Sequence, residues 1–195
     1  MKPALLVIDA QQEYFAPHGK WVLPDGERAL ERIHQLIAAA RETRLPIFYI
    51  THESLGENPP VFRKGSAGVE LHPSLRPAPG EPIVNKHFPN SFAQTPLEAY
   101  LRQAGVDTII VSGYMTQMCC DTTTRAARER NFGVLFASDA TAARDLTLGG
   151  ETVPHERIHQ TTLAVMTQFA TVLPTAEIIS RIRALGEPAG EAAAR

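Results

Sequence analysis

The stretch Ala4-Leu5-Leu6-Val7-Ile8, which ends at Asp9, decides the fold class of this 195-residue chain. It is a continuous apolar run rather than an alternating one, and that pattern is typical of a parallel strand covered on both faces. Similar runs recur along the chain, and we predict further strands at 46–50, 82–84, 108–111, 133–137 and 171–173.

The segments between these runs have helical spacing. In the first of them, Leu30, Ile33 and Ile37 recur at intervals that place them on one helix face. A threonine cap followed by a proline begins the second at Thr95-Pro96. The βαβ alternation predicts an α/β fold with three layers, α/β/α, around a doubly wound, mostly parallel six-stranded sheet. The predicted helices lie at 26–44, from 95 onward, and at 119–131, 154–168 and 175–185.

The chain length predicts a single domain, because 195 residues is close to the size of one compact unit. We place this domain at 1–185 and expect a flexible tail at 186–195, where small and polar residues dominate. The connection 52–92 is rich in proline, since 8 of the 15 prolines lie between Pro59 and Pro96. We expect it to be a long loop on the substrate side, with apolar residues such as Phe62 as anchors; a disordered surface excursion is the alternative.

Composition and charge exclude several classes of protein. The net charge is −2, so there is no basic excess to neutralise phosphates, and we expect no nucleic-acid partner. The two cysteines, Cys119 and Cys120, are adjacent, which excludes a disulfide scaffold. No apolar run approaches the roughly 20 residues that cross a bilayer, and the first run is too short for a signal peptide. We therefore expect a cytoplasmic protein with no membrane partner.

Three residues at the carboxyl ends of predicted strands form a plausible reactive set, because chemistry in open α/β sheets lies at that edge. Asp9 follows the first strand, Lys86 the third, and Cys119 follows the fourth at the predicted start of a helix. Backbone N–H groups at a helix start and a nearby ammonium both favour a thiolate. A carboxylate can accept the thiol proton. On spacing alone, a buried and inert Cys119 remains the alternative.

These residues lie within longer motifs: Leu5-Leu6-Val7-Ile8-Asp9-x-Gln11, Val84-Asn85-Lys86-His87-Phe88, and Ser112-Gly113-Tyr114-Met115-Thr116-Gln117-Met118-Cys119. With these motifs, the chain resembles the isochorismatase-like cysteine hydrolases, a superfamily that includes nicotinamidase, N-carbamoylsarcosine amidase and ureidoacrylate amidohydrolase. The resemblance covers almost the whole chain.

The resemblance implies a catalytic triad in which Cys119 is the nucleophile, Asp9 the general base and Lys86 the third member. It implies an oxyanion hole made by the backbone N–H groups of Met115 and Cys119, and a cis peptide at Tyr114-Met115. The implied reaction cleaves a C–N bond of a small amide, carbamoyl or ureido substrate through a thioester. An isochorismatase-type ether hydrolase with an idle cysteine and a non-catalytic binding protein remain alternatives.

No cofactor is expected, and we expect no metal. Metal-binding nicotinamidases carry an Asp-x-His pair after the second strand, whereas this chain has Thr51-His52-Glu53-Ser54 there. A cation near His52 and His72 stays an open alternative. The partner we expect is a small-molecule substrate, and the resemblance is the reason to expect a homo-oligomer, either a dimer or a tetramer.

The walls of a substrate pocket are harder to assign from the sequence. Cys120 is expected to pack in the core, and the pair His155 and His159 is read as a helix face or subunit interface rather than a metal site. The candidates for substrate contact are Gln11, Tyr14, Phe15, Trp21, His52, Phe88, Phe92 and Tyr114.

Overall fold

Six strands form one parallel sheet in the computed structural model, which describes residues 1–186. The order across the sheet is β3-β2-β1-β4-β5-β8, and every neighbouring pair is parallel. This confirms the predicted α/β fold with its six-stranded sheet. In chain order, the strands of the described residues are β1 (Pro3–Ile8), β2 (Ile47–His52), β3 (Ile83–Lys86), β4 (Thr108–Tyr114), β5 (Gly133–Ala142), β6 (Leu146–Leu148), β7 (Glu151–Val153) and β8 (Thr171–Leu173).

Helices cover both faces of the sheet. The face that carries Leu5 and Val7 of β1 packs in one apolar cluster with the first and last helices. The face that carries Leu6 and Ile8 packs in a second cluster with the other three. The alternation of side chains along a strand explains why a continuous apolar run is needed here. The helices are α1 (Gly26–Glu42), α2 (Leu97–Gln103), α3 (Asp121–Glu129), α4 (His155–Met166) and α5 (Thr175–Gly186).

The strands at the centre of the sheet end close together. Gly113, near the end of β4, has φ 115° and pairs with Ile8 of β1. A Cβ at Gly113 would overlap the Ile8 carbonyl oxygen, so this close approach requires glycine. Asp9, the next residue after β1, has φ 50°. The local backbone therefore turns sharply where the candidate catalytic residues lie.

The structure differs from the sequence prediction around Cys119. Residues Thr116–Cys120 form a π turn, in which the Cys120 N–H donates to the Met115 carbonyl at 3.2 Å. The helix predicted at 119–131 is α3, and it begins at Asp121. Cys119 therefore lies in the turn before the helix, not at the first residue of the helix.

Two features outside the predicted strands complete the fold. Strands β6 and β7 form an antiparallel hairpin across Gly149 and Gly150, both of which have positive φ. The segment 52–92 contains β3 and a short 3₁₀ turn, Ala67–Val69, and buries Phe62 against the domain. No helix among residues 1–186 is both long enough and apolar enough to cross a membrane. Apart from its first residue, the predicted tail 186–195 lies outside the described residues.

Candidate active site

Lys86 is the centre of the candidate site and is fully buried. Its Nζ lies 2.8 Å from Asp9 Oδ2, 3.2 Å from His52 Nδ1 and 3.4 Å from Cys119 Sγ. The strands β3, β2 and β1 are neighbours in the sheet, and Lys86 pairs with His52 in the strand register. The ends of adjacent strands therefore bring together the three residues of the expected triad. His52 is a fourth residue in this cluster.

Lys86 carries a positive charge in this environment. Burial alone opposes the charged form, but the negative charge of Asp9 and the neighbouring Cys119 outweigh it and raise the pKa of Lys86. A buried ammonium of this kind is stable only when its donors and its charge are paired. The ion pair with Asp9 meets both needs, since both side chains are buried at the contact.

Among the described residues, only one of the two carboxylate oxygens of Asp9 has a hydrogen-bond partner. Oδ2 accepts from Lys86. Oδ1 is buried and has no hydrogen-bond partner within residues 1–186. The backbone N–H of Asp9 donates to the Ile50 carbonyl at 2.9 Å, which fixes the turn after β1. The unpartnered oxygen is a hydrogen-bond acceptor held at the site.

Cys119 is 4% exposed. Burial, followed by the negative charge of Asp9, raises the pKa of Cys119, while Lys86 acts in the opposite direction without balancing them. The sequence analysis named two influences that favour a thiolate, a helix start and a nearby ammonium. Lys86 does lower the pKa of Cys119, but burial and the Asp9 carboxylate outweigh it.

The turn that carries Cys119 is held from several sides. The Met118 N–H donates to the Met115 carbonyl at 3.1 Å, and the Tyr114–Met115 peptide is cis. The Thr116 hydroxyl lies 2.9 Å from His159 Nδ1 of α4. His159 therefore contacts the nucleophile turn, which the sequence did not indicate.

A cavity of about 190 Å³ opens on Asp9 and Cys119. Part of its wall is aromatic, and the Phe62 ring contacts three other rings of the lining. The Phe62 ring centroid lies 5.3 Å from that of Tyr14, 6.2 Å from that of Trp21 and 5.2 Å from that of His52. The remaining lining residues are Ser54, Val61, His87, Pro89 and Met118.

Tyr14, Trp21 and His52 line this cavity, as the sequence suggested for substrate contact. Gln11 does not, because its side chain is buried in hydrogen bonds to the backbone of His52 and Val69. The sequence also passed over Phe62 as a wall residue. It was recognisable there only as an apolar anchor of the long loop.

Four further aromatic residues that the sequence offered as pocket walls lie outside the cavity lining. Phe15 packs edge-on against Tyr114, with ring centroids 5.5 Å apart. The Tyr114 hydroxyl donates to the Gly26 carbonyl at 2.7 Å and is buried. Phe92 stacks on Phe132 in the core. Phe88 is 37% exposed. Phe15, Tyr114 and Phe92 are therefore packed in the core, whereas Phe88 faces outward.

The histidines have partners other than a metal ion. His52 Nδ1 faces Lys86, and His72 Nδ1 lies 2.8 Å from Ser74 Oγ. His155 lies 2.9 Å from an oxygen of Asp145. Across residues 1–186, no group of three or more potential ligands is arranged to hold a metal. Cys120 is buried in the apolar cluster beside α3, where packing accounts for it.

A larger, open groove of about 720 Å³ lies elsewhere, at the amino end of β2. Arg41, Pro46 and Tyr100 are among its lining residues, and none of the triad residues is. The smaller cavity is the candidate active site, because it alone of the two holds a nucleophile, a carboxylate and a buried cation together.

Comparisons with known proteins find similar sequences and similar folds. A family model described as the isochorismatase domain matches residues 3–177. The isochorismatase family protein YddQ of Bacillus subtilis strain 168 is 38% identical over 176 residues, which are 90% of this chain and 97% of that protein.

Two solved structures have a similar fold. A cysteine hydrolase from Pseudomonas syringae pv. phaseolicola 1448A has a TM-score of 0.88 at 30% identity, covering 94% of this chain and 93% of that one. An N-carbamoylsarcosine amidase from Thermoplasma acidophilum has a TM-score of 0.77 at 27% identity, covering 90% and 97%.

Proposed function

Because the chain belongs to the isochorismatase family, we propose that it is a cysteine hydrolase of small amide, carbamoyl or ureido compounds. It cleaves a C–N bond through a thioester on Cys119. The observation that carries this proposal is the contact of one buried ammonium, Lys86 Nζ, with both Asp9 at 2.8 Å and Cys119 at 3.4 Å. A structural ion pair alone would not need a thiol at the edge of a cavity.

The first step of the proposed reaction is a proton transfer from Cys119. Burial raises the pKa of Cys119, which favours the thiol, so the proposed attack needs a base to remove the thiol proton. Asp9 Oδ1 is the unpartnered acceptor beside it. In our proposal the thiol proton passes to Asp9, and the sulfur forms a bond to the substrate carbonyl carbon. The Lys86 charge stabilises the sulfur anion as it forms.

The next step forms a tetrahedral oxyanion, which needs hydrogen-bond donors in place beforehand. The proposed donors are the backbone N–H groups of Met115 and Cys119, which belong to the turn that carries the sulfur. Asp9, now protonated, gives its proton to the departing nitrogen. The C–N bond breaks, an amine or ammonia leaves, and the acyl group stays on Cys119.

Hydrolysis of the thioester reverses the proton path. Asp9 accepts a proton from a water molecule, which attacks the acyl carbon. The carbon–sulfur bond then breaks, the acid leaves, and Cys119 takes the proton back from Asp9. One carboxylate thus serves as base and acid in both halves of the reaction.

The cavity limits the size of the substrate. Its volume of about 190 Å³ is below the roughly 300–1,000 Å³ of sites that hold drug-sized ligands. Rings of Tyr14, Trp21 and Phe62 form an apolar wall beside the sulfur. A small planar group next to the scissile carbonyl fits this wall. The similarity to an N-carbamoylsarcosine amidase supports C–N bonds as the target.

The test is release of ammonia or amine from a panel of small primary amides, carbamoyl compounds and ureido acids. We expect turnover of at least one class by the wild-type protein, and its loss in Cys119→Ala. Release from no member of the panel, together with cleavage of a vinyl ether that Cys119→Ala retains, would contradict the proposal and support an ether hydrolase with an idle cysteine.

A further inference from the structure

The Lys86 ammonium has a partner that the proposed chemistry does not use. An ammonium carries three N–H donors and no acceptor. Two of these donors meet Asp9 Oδ2 at 2.8 Å and Cys119 Sγ at 3.4 Å. The third meets His52 Nδ1 at 3.2 Å. Three acceptors surround the buried cation, which matches its number of donors.

We propose that His52 is a positioning residue: its imidazole accepts the third N–H of Lys86 and thereby keeps the other two directed at Asp9 and Cys119. The inference rests on the proposed function, in which Lys86 supports the Cys119 nucleophile. His52 lines the cavity, but this role acts through Lys86 rather than through the substrate.

The contact fixes the tautomer of His52. An ammonium can only donate, so Nδ1 must accept and the ring proton lies on Nε2. Burial, aided by the positive charge of Lys86, lowers the pKa of His52 to about 4, which keeps the ring neutral near pH 7. The charged or titratable groups that face it are Lys86, Asp9 and His87, and only Asp9 favours protonation.

The position of His52 is itself fixed by Gln11. The side-chain amide oxygen of Gln11 accepts from the backbone N–H of His52 at 2.7 Å. The side-chain amide nitrogen donates to the backbone carbonyls of His52 at 2.8 Å and Val69 at 2.6 Å. The edge of the ring meets Phe62 at an interplanar angle of 82°. Asp9 and Gln11 belong to one segment, which thus supplies the base and also holds the lysine's third partner.

Loss of the His52 acceptor would leave a buried N–H donor without a partner. Such a donor is strongly unfavourable, so the ammonium would tilt toward water or another acceptor. Its contacts with Asp9 and Cys119 would then lengthen or lose alignment, and both contacts depend on direction. The sulfur anion would be less stabilised, and Cys119 would react more slowly.

The test compares four variants by a reaction that needs no substrate, the alkylation of Cys119 by iodoacetamide, followed by mass spectrometry and peptide mapping. His52→Phe keeps a ring but removes the acceptor, and His52→Leu is a second variant in case the first does not fold. His52→Asn keeps an acceptor oxygen close to the Nδ1 position. His72→Phe is the matched control, because His72 is a half-buried histidine outside the cavity lining.

We expect alkylation to slow about tenfold in the folded Phe and Leu variants between about pH 7 and 9, where the thiolate fraction limits the rate. The Asn variant should stay within about threefold of wild type, and His72→Phe should match wild type. The kcat for the best amide should follow the same order, with KM changing less.

A purely structural role for His52 predicts different results. If Cys119 is alkylated at the wild-type rate in the folded His52→Phe and His52→Leu variants, the inference is overturned. It is also overturned if alkylation of His52→Asn is as slow as that of His52→Phe. If the wild-type protein hydrolyses no amide while the alkylation order holds, the proposed function fails and the positioning of Lys86 by His52 stands.

Discussion

At the scale of single residues, the two carboxylate oxygens of Asp9 have different partners. Oδ2 is held by Lys86, and Oδ1 is buried without a hydrogen bond in the part of the chain that the structure describes. A buried carboxylate oxygen without a partner is costly, and such groups persist where a function needs them. In the proposed mechanism, Oδ2 belongs to the structural ion pair and Oδ1 takes part in proton transfer with Cys119.

We expect Asp9→Asn to lower kcat roughly 10²–10⁴-fold, the range that positioned acid–base groups contribute. The asparagine keeps the shape of the side chain but cannot take up the thiol proton. Steady-state hydrolysis of the best amide measures the effect. Asp107→Asn is the control, because Asp107 is an acidic residue that lies just before β4, at the other end of that strand from the site. An Asp9→Asn enzyme within twofold of wild type would remove Asp9 from the reaction.

The sequence predicts which residues meet at the candidate site but not their charge state. Asp9, Lys86 and Cys119 are recognisable because each lies at or beyond the carboxyl end of a strand and in one of the motifs that resemble the family. The state of the Cys119 thiol depends on burial and on the nearby Asp9 carboxylate, which are properties of the folded site. The proposed role of His52 depends on the register that pairs it with Lys86, which requires the strand order.

At the scale of elements, a buried glutamate holds the segment 52–92 against the domain. Glu13 accepts the Phe62 N–H at 3.2 Å on one oxygen and the Lys20 N–H at 2.9 Å on the other. Gly68 packs directly on its carboxylate. Since Phe62 lines the cavity, we expect Glu13 to influence the shape of the cavity from outside it.

We expect Gly68→Ala to raise KM about three- to tenfold with a smaller change in kcat. The substitution disturbs the cavity wall, on which substrate binding depends, more than it disturbs the Cys119 sulfur. The new Cβ would overlap a Glu13 oxygen that is already hydrogen-bonded, so the turn must shift and move Phe62. Steady-state kinetics measure this split. Ala67→Ser, at the exposed neighbouring position, should leave KM unchanged. An unchanged KM in Gly68→Ala would mean that the Ala67–Val69 turn does not shape the cavity.

The long segment illustrates what the sequence leaves open at this scale. Its prolines and its length predict a substrate-side loop, and apolar residues such as Phe62 predict that it is anchored. The shape comes from contacts between distant positions, such as Glu13 with Phe62, which are 49 residues apart. The hairpin β6–β7 escaped prediction because its two short strands are largely exposed and neither is a continuous apolar run.

At the scale of the whole molecule, the sheet was predictable because its strands are buried on both faces. Leu5 and Val7 serve one core, whereas Leu6 and Ile8 serve the other, so each position of the run must be apolar. The order of the strands was not predictable in the same way, because several orders satisfy the same pattern. It is this order that brings Asp9, His52 and Lys86 to adjacent strand ends.

The whole molecule should lose stability as the pH falls from about 6.5 toward 4. Burial lowers the pKa of His52, His72 and His159. The unfolded chain therefore takes up protons in this window that the folded chain does not, and protonation favours unfolding. We expect the free energy of unfolding to be about 2 kcal/mol lower at pH 5 than at pH 7, a value reduced for the partial exposure of these rings.

Urea unfolding at the two pH values measures this difference. His72→Phe should make the difference smaller, because it removes one of the three groups. The hydrogen bond with Arg41 lowers the pKa of Glu81 from its ordinary value of 4.5. This group therefore changes the free energy of unfolding mainly below about pH 4.5, and it does not reverse the expected difference between pH 5 and pH 7. Equal or greater stability at pH 5 would contradict the assignment of these histidines as neutral.

The central claim is that Cys119 carries the acyl group. The most direct measurement is an acid quench during turnover of the best amide, followed by intact mass and peptide mapping. Our account predicts a mass increase equal to the acyl group on the peptide that contains Cys119, and loss of both the adduct and hydrolysis in Cys119→Ala. Full hydrolysis by Cys119→Ala, with no adduct on the wild-type protein, would contradict it.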